Sequence, residues 1–264
     1  MLALKGPTLG CVADLPPFIA GTFARPEWAP SPGSSSQVLE TLWPKGTVQA
    51  LDRDREIYAE GDPAESWYRL RSGTMRVFRV LADGRRHIGE FVFPGQVFGF
   101  EPGRVHIQGA EAVEPATVIA YSHAAIEQRM AHDNQARHAI SALLIERLAA
   151  AQERVLMLGS LSAGERLAEF LLAMARRAQG GRAGMPRMAA LPMSRVDIAD
   201  YLGLTVETVS RLFTALRRQG VIRLAAANRV EILDPAALRA ASGNAAAIHA
   251  PARDDEGLPL LRCA

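Results

Sequence analysis

Ser194 to Gly220 reads SRVDIADYLGLTVETVSRLFTALRRQG, and the architecture of the chain turns on this stretch. Ser194 with Asp197 three residues later approximates a capping box, so a helix starts there. Ile198, Ala199 and Leu202 give that short helix an apolar side, and Gly203 supplies a tight turn. Thr205 is the next capping residue. A second helix then runs to Gly220, a left-handed terminator. In it Val209, Leu212 and Leu216 are the expected buried stripe, opposite Glu207, Ser210, Arg211, Thr214 and Arg218. Two helices joined by a short turn around Gly, the second polar on its outer face, are the sequence form of a helix-turn-helix.

The outer stripe has the chemistry of a major-groove reader. An α-helix fits that groove, and its N-terminal residues meet the base edges. Arg donates twice to guanine O6 and N7, while Glu accepts from cytosine N4. Arg211 and Glu207, four positions apart, can therefore address one G·C pair. The ordinary alternative is an i,i+4 ion pair worth about 0.2–0.5 kcal/mol on a solvated helix. Charge favours the first reading. Residues 160–242 hold 12 Arg and 7 acidic residues, a net +5, so the rest of the chain is −3 and the whole only +2. Basic character is thus concentrated where a phosphate footprint requires it. Candidate phosphate contacts are Ser194, Arg195, Thr205 and Thr208, with Thr214, Arg217 and Arg218 further along. Arg223 and Arg229 join them on the next segment. There Val221–Leu224 and Arg229–Ile232 read as a hairpin, which makes the module winged.

Working back from this module, residues 163–178 form a helix with Leu167, Phe170, Leu171 and Met174 on one side, followed by a loop at Gly180-Gly181 and Pro186. Before it, Ile140, Leu144, Leu148, Ala151, Val155 and Leu158 recur at steps of three and four. They mark a continuous helix within 134–159, capped by Asn134, of roughly 24 residues and about 36 Å, ended by a hinge at Gly159-Ser160. So long a stripe wants a partner of its own kind, and a parallel homodimeric coiled coil would bury it.

Further upstream the period changes. Gly61, Gly73, Gly84 and Gly95 fall 12, 11 and 11 residues apart, the spacing of short strands in a sandwich or barrel. Asp83-Gly84, between alternating runs, predicts a hairpin with a type I′ turn. Phe91, Phe93, Val97, Phe98 and Phe100 form an apolar cluster around Pro94-Gly95, and Val118–Tyr121 closes the set. The expected organisation is α+β: a disordered N-terminal extension over 1–45 and an antiparallel β-roll over 46–133. The dimerisation helix over 134–159, a winged helix-turn-helix over 160–242 and a mobile tail over 243–264 follow.

Composition removes several classes. In 264 residues, 48% apolar and 22% charged, no window approaches 18 consecutive apolar residues, which excludes a spanning helix. The two cysteines, Cys11 and Cys263, cannot make a disulfide framework or a four-thiolate cluster. No export signal is read at the N-terminus, so the expectation is a cytoplasmic protein with reduced thiols. His87, His106, His123, His132 and His138 are dispersed, with no spacing that commits two to one metal face. Met185, Met188 and Met193 flank a loop. No Ser/His/Asp order, P-loop or paired carboxylate motif suggests an enzyme, and no catalytic residue is assigned. Of the 30 basic residues 28 are Arg.

The order of β-roll, long helix and winged helix-turn-helix resembles the CRP/FNR superfamily of bacterial transcription regulators over about residues 50–240. The specific parts are Glu60-Gly61-Asp62-Pro63, the segment YRLRSGTMRVFRVLADGRRHIGEFVFPGQVFG from Tyr68, and the helix-turn-helix. MSRVDIADYLGLTVETVSR is similar to the FixK branch, whose Glu-x-x-Ser-Arg pattern is matched by Glu207, Ser210 and Arg211. The resemblance implies a homodimer on a TTGAT-N4-ATCAA-type palindrome, with RNA polymerase as a further partner. Arg211 would read the guanine, Glu207 the paired cytosine and Ser210 a neighbouring thymine. Val206 stands where cAMP-responsive relatives have an Arg. Those relatives hold cAMP with a Gly-Glu and an Arg-Ser pair, and the matching positions here are Gly99-Phe100 and His106-Ile107. The ribose-binding carboxylate and the phosphate-binding guanidinium are both replaced, so cAMP is not expected. The N-terminal cysteine cluster of an iron–sulfur oxygen sensor is missing as well. The implied protein acts without a cofactor, as an activator in microaerobic or nitrogen-oxide metabolism. Two other readings stay open: a regulator gated by haem or another effector, and a β-roll adaptor that does not bind DNA.

Overall fold

A computed structural model describes residues 45–101, 103–179 and 187–243. The expected extension and tail lie, but for Lys45 and Gly243, outside the described residues. So do Cys11, Cys263, Met185 and the loop from Gly180 to Pro186.

The evenly spaced glycines are turn points. All four have positive φ, between 81° and 95°. They separate short strands: β1 (Thr47–Leu51), β2 (Glu56–Tyr58), β3 (Ser66–Ser72), β4 (Met75–Val80), β5 (Arg86–Val92), β6 (Val97–Phe98), β7 (Gly109–Ala112) and β8 (Ala116–Ser122). These pair antiparallel into two four-stranded sheets, ordered β1-β8-β3-β6 and β2-β7-β4-β5. Leu70, Met75, Val92, Ala110 and Val118 fill the space between them. At Gly73 the constraint is double, because a Cβ there would meet the Pro115 carbonyl oxygen at 2.5 Å.

The β4–β5 hairpin is present, but its turn is not type I′. Only Gly84 has φ above zero. Its amide donates to the Leu81 carbonyl at 2.8 Å, and the Leu81 amide donates to Arg85 at 2.8 Å. The extra residue lets a right-handed turn close through one left-handed glycine. The aromatic cluster around Pro94-Gly95 also divides. Phe98 fills the roll, Val97 and Phe100 pack toward the long helix, and Phe91 and Phe93 turn toward the C-terminal module.

Two helices follow, α1 (His123–His132) and α2 (Asn134–Ser160). The cap of α2 is Asp133, not Asn134. Its carboxylate accepts from the amides of Gln135 at 2.8 Å and Ala136 at 3.2 Å, which an aspartate one position earlier in the chain reaches better. Ile140, expected on the partner-facing stripe, instead packs with Ala139 and Leu143 against Trp67, Tyr121 and Ile126 of its own chain. Spacing alone could not separate those two faces. Leu144, Leu148 and Val155 stay exposed, the last two at 60% and 70%; Ala151 is exposed and Leu158 half-buried. Gly159 is helical rather than a hinge; the chain turns at Leu161-Ser162.

The C-terminal module consists of α3 (Ala163–Gln179), β9 (Met188–Ala190), α4 (Arg195–Leu202), α5 (Val206–Arg218), β10 (Ile222–Ala226), β11 (Arg229–Ile232) and α6 (Pro235–Ala241). The expected hairpin becomes a three-stranded sheet, β10-β11-β9. Leu167, Phe170, Leu171 and Met174 are buried as expected, with Ile198, Leu202, Val209 and Ile222. In α5 the buried stripe is Val209, Phe213 and Leu216; Leu212 sits half-buried on its flank. The core does not stop at the module. Ile88, Phe91, Phe93 and Val113 of the β-roll belong to the same cluster, and the Phe91 and Tyr201 rings lie 5.0 Å apart. Arg154 of α2 lies over the Tyr201 ring at 3.7 Å and donates to the Ile88 carbonyl at 2.9 Å.

Candidate nucleic-acid interface

Local chemistry builds the two-helix unit in the expected way. The Ser194 hydroxyl accepts from the Asp197 amide at 3.1 Å, and the Asp197 carboxylate accepts from the Ser194 amide at 2.9 Å, a complete capping box. Gly203 ends α4 at φ 64°, a conformation that costs glycine least. Thr205 caps α5 by accepting from the Thr208 amide at 3.2 Å. Gly220 follows the end of α5 at φ 72°. The guanidinium of Arg195 stacks on the Phe213 ring at 3.4 Å and braces the two helices.

Glu207, Ser210 and Arg211 are all exposed on the outer face of α5. The i,i+4 pair is not formed among the described residues. Arg211 Nη2 instead donates weakly to Thr208 Oγ1 at 3.4 Å. The Glu207 carboxyl is held below its usual range by its own backbone amide and the Thr205 hydroxyl, with Arg211 adding to the effect. It is therefore an anion at neutral pH, an acceptor at the helix N-terminus. Ser210, Arg211, Thr214, Ala215 and Arg218 line a surface depression of about 420 Å³. Thr214 hydrogen-bonds the Ser210 carbonyl at 3.0 Å. Arg217, Arg218 and Arg229 are exposed, whereas Arg223 is paired with Glu231. Of the phosphate candidates, Ser194 and Arg195 are the most fully engaged, the hydroxyl in the cap and the guanidinium on Phe213, while the Thr205 and Thr208 hydroxyls contact each other at 3.0 Å. As seen here Ser194 and Arg195 serve the fold, because a cap and a ring face leave them few directions in which to reach out.

Sequence reasoning missed Arg166 altogether. From α3 it donates to the carbonyls of Leu158 at 2.7 Å and Leu161 at 2.9 Å, at the end of α2, and to Leu202 at 3.1 Å, at the end of α4. A cation at two helix C-termini satisfies their orphan carbonyls and opposes both dipoles. An Arg in the first turn of a helix carries no distinctive spacing, so nothing in the sequence flagged it.

The β-roll holds a second feature. His106 is 1% exposed and stacks on Tyr58, ring centroids 3.6 Å apart, with Tyr68 beyond. Neither ring nitrogen has a hydrogen-bond partner, although Glu101 Oε1 stands 3.7 Å from Nδ1. Burial lowers the His106 pKa and raises that of Glu101. Gly99 is needed here, at φ 78° with Tyr68 only 2.7 Å from where a Cβ would stand. Among the described residues no group of three or more His, Cys, Asp or Glu could hold a metal, and no helix is long and apolar enough to cross a membrane.

Comparison with known proteins agrees with this geometry. Residues 48–133 match a cyclic nucleotide-binding domain and residues 165–241 a Crp-like helix-turn-helix domain. The chain belongs to the CRP/FNR family of transcription regulators, proteins that are not enzymes. Within that family it is FixK-like. It is 39% identical over 210 residues to the nitrogen fixation regulation protein FixK of Rhizobium meliloti, covering 80% of this chain and 90% of that one. To FixK of Azorhizobium caulinodans the identity is 36% over 237 residues, 86% and 96% of the two chains. The solved structure of FixK2 from Bradyrhizobium japonicum superposes with a TM-score of 0.68 at 39% identity, covering 74% of this chain and 96% of that one.

Proposed function

We propose that the protein acts in the cytoplasm as a homodimeric, FixK-like activator that recruits RNA polymerase from a TTGAT-N4-ATCAA-type palindrome. Arg211 reads the guanine, Glu207 the paired cytosine and Ser210 an adjacent thymine. The observation that carries this reading is the shared exposure of those three side chains at the N-terminal half of one capped helix. Exposed Leu144, Leu148 and Val155 support a partner helix beside α2. The names of relatives, a nitrogen fixation regulation protein and an anaerobic regulatory protein, support control of microaerobic or nitrogen-oxide metabolism genes. His106 and Phe100 in place of the cAMP-holding residues support action without that nucleotide, and Cys11 and Cys263 are too few for an iron–sulfur cluster.

The test is an electrophoretic shift on the palindrome across a salt series, paired with sedimentation. Expected are a dimer and a steep loss of affinity with salt, reflecting release of phosphate counterions. Salt-insensitive or absent retention would leave the adaptor reading. One observation favours a second version of the regulator: the two unpartnered nitrogens of buried His106 suit an effector that hydrogen-bonds or ligates imidazole. Calorimetry with nucleotides and absorption spectra of purified protein separate the two versions.

A further inference from the structure

Asp197 closes the capping box of α4 with one carboxylate oxygen, Oδ2, which accepts from the Ser194 amide and hydroxyl. Its other oxygen, Oδ1, points away from the helix-turn-helix and into the β-roll. There it accepts from Arg86 Nη2 at 2.5 Å and Arg76 Nη1 at 3.2 Å. Arg86 also reaches Asp200, one turn along α4, through Nε at 2.9 Å. Arg76 is held from behind by Glu111 at 2.6 Å and Asp54 at 3.0 Å. Side chains of Asp197 and Arg76 are 3% and 8% exposed, so the centre of the network is desolvated, with Arg86 and Asp200 half-buried at its edge. The carboxyl stays ionised: burial opposes the charge, but the Ser194 hydrogen bonds and the two guanidinium groups hold its pKa low.

We infer that Arg76 and Arg86, two residues of the β-roll, are positioning residues that set the angle at which the recognition helix is presented. The inference rests on the DNA reading above. The apolar contacts between roll and module, such as Phe91 with Tyr201, hold the two together but carry little direction. Charge-assisted, forked hydrogen bonds do carry direction. Asp197 and Asp200 are successive turns of α4, and α4 is braced to α5 through Arg195 on Phe213 and the Gly203 turn. Fixing those two carboxylates against strands β4 and β5 therefore fixes α5.

An angular constraint has a specific readout. Each base pair added between half-sites moves one of them by about 3.4 Å and turns it by about 35°. A dimer with fixed recognition helices accepts one spacer; a dimer with loosened ones tolerates neighbours. The experiment measures affinity of the full chain for palindromes with spacers of four, five and six base pairs, and for a single half-site. Wild type is compared with Arg86→Gln, Asp200→Asn, the double variant and Arg86→Lys. Expected is a loss of about fivefold in spacer discrimination for Arg86→Gln, non-additive with Asp200→Asn, partly restored in Arg86→Lys, with half-site affinity unchanged. Spacer discrimination equal to wild type in folded Arg86→Gln, or losses that simply add, would overturn the positioning role. Absence of palindrome binding by wild type would instead overturn the DNA reading itself.

Discussion

On the proposed reading Arg211 is the residue on which base recognition depends most directly, because its guanidinium is exposed and only weakly tied to Thr208. Arg211→Ala should cost about 1–3 kcal/mol at each half-site and relax the preference at the guanine. A shift series with that base varied checks it; equal losses on every base would speak against direct readout. His106 makes a different demand. Its pKa is lowered by burial, against the pull of Asp62, so protons bind the unfolded chain more tightly than the folded one. Stability is therefore complete above the ordinary imidazole pKa and falls as pH drops below it. Glu101, 3.7 Å away, is itself pushed toward its neutral form by burial, which acts in the opposite direction and in the lower, carboxylate range of pH. His87, also lowered by burial, adds in the same direction. Thermal unfolding followed from about pH 7.5 to 5.5 should show a smaller decline for His106→Leu than for wild type. The Leu side chain removes two buried, unpartnered nitrogens.

At the scale of the element, α2 is a helix with two apolar faces. One, through Ala139, Ile140 and Leu143, belongs to the monomer. The other, through Leu144, Leu148 and Val155, is open. Leu148→Glu places a charge on the open face without touching the intramolecular one. Sedimentation should then report a monomer, and palindrome affinity should fall because each half-site binds alone. This division shows what a sequence can and cannot display. Steps of three and four identify a helix and its apolar sides, and those over 140–158 did so. They are silent on whether a side faces a neighbour in the same chain or in another. In α5 Phe213 completes the stripe expected at Leu212, because positions three and four after Val209 share one helix face and spacing does not choose between them. Local signals in the helix-turn-helix fared better, since Ser194, Thr205, Gly203 and Gly220 act within four residues of themselves and sit as expected. Asn134, Asp83-Gly84 and Gly159, by contrast, were each displaced by a neighbour or by helix continuation.

In the whole molecule, the main difference from the sequence reading is that roll and reader share a core. Nothing periodic in β5 announces that Phe91 will meet Tyr201, 110 positions later, or that Arg76 will meet Asp197. Such contacts follow from tertiary packing alone. They have a thermodynamic signature. Phe91→Ala removes a ring shared by both halves and should cost about 3–5 kcal/mol. Scanning calorimetry is expected to show one cooperative transition in wild type and two separated transitions in the variant. A single, merely shifted peak would mean that the remaining contacts suffice to keep the halves coupled.

Arg166 joins three helices at one point. By holding the last carbonyls of α2 and the last carbonyl of α4 in one hand, it leaves the elbow at Leu161-Ser162 without free play. The rod that would define the symmetry axis and the helix that precedes the reading head thus share a frame. In the proposed dimer, any roll of one long helix about the other would be delivered, as through a gear tooth, to the bend at Gly203.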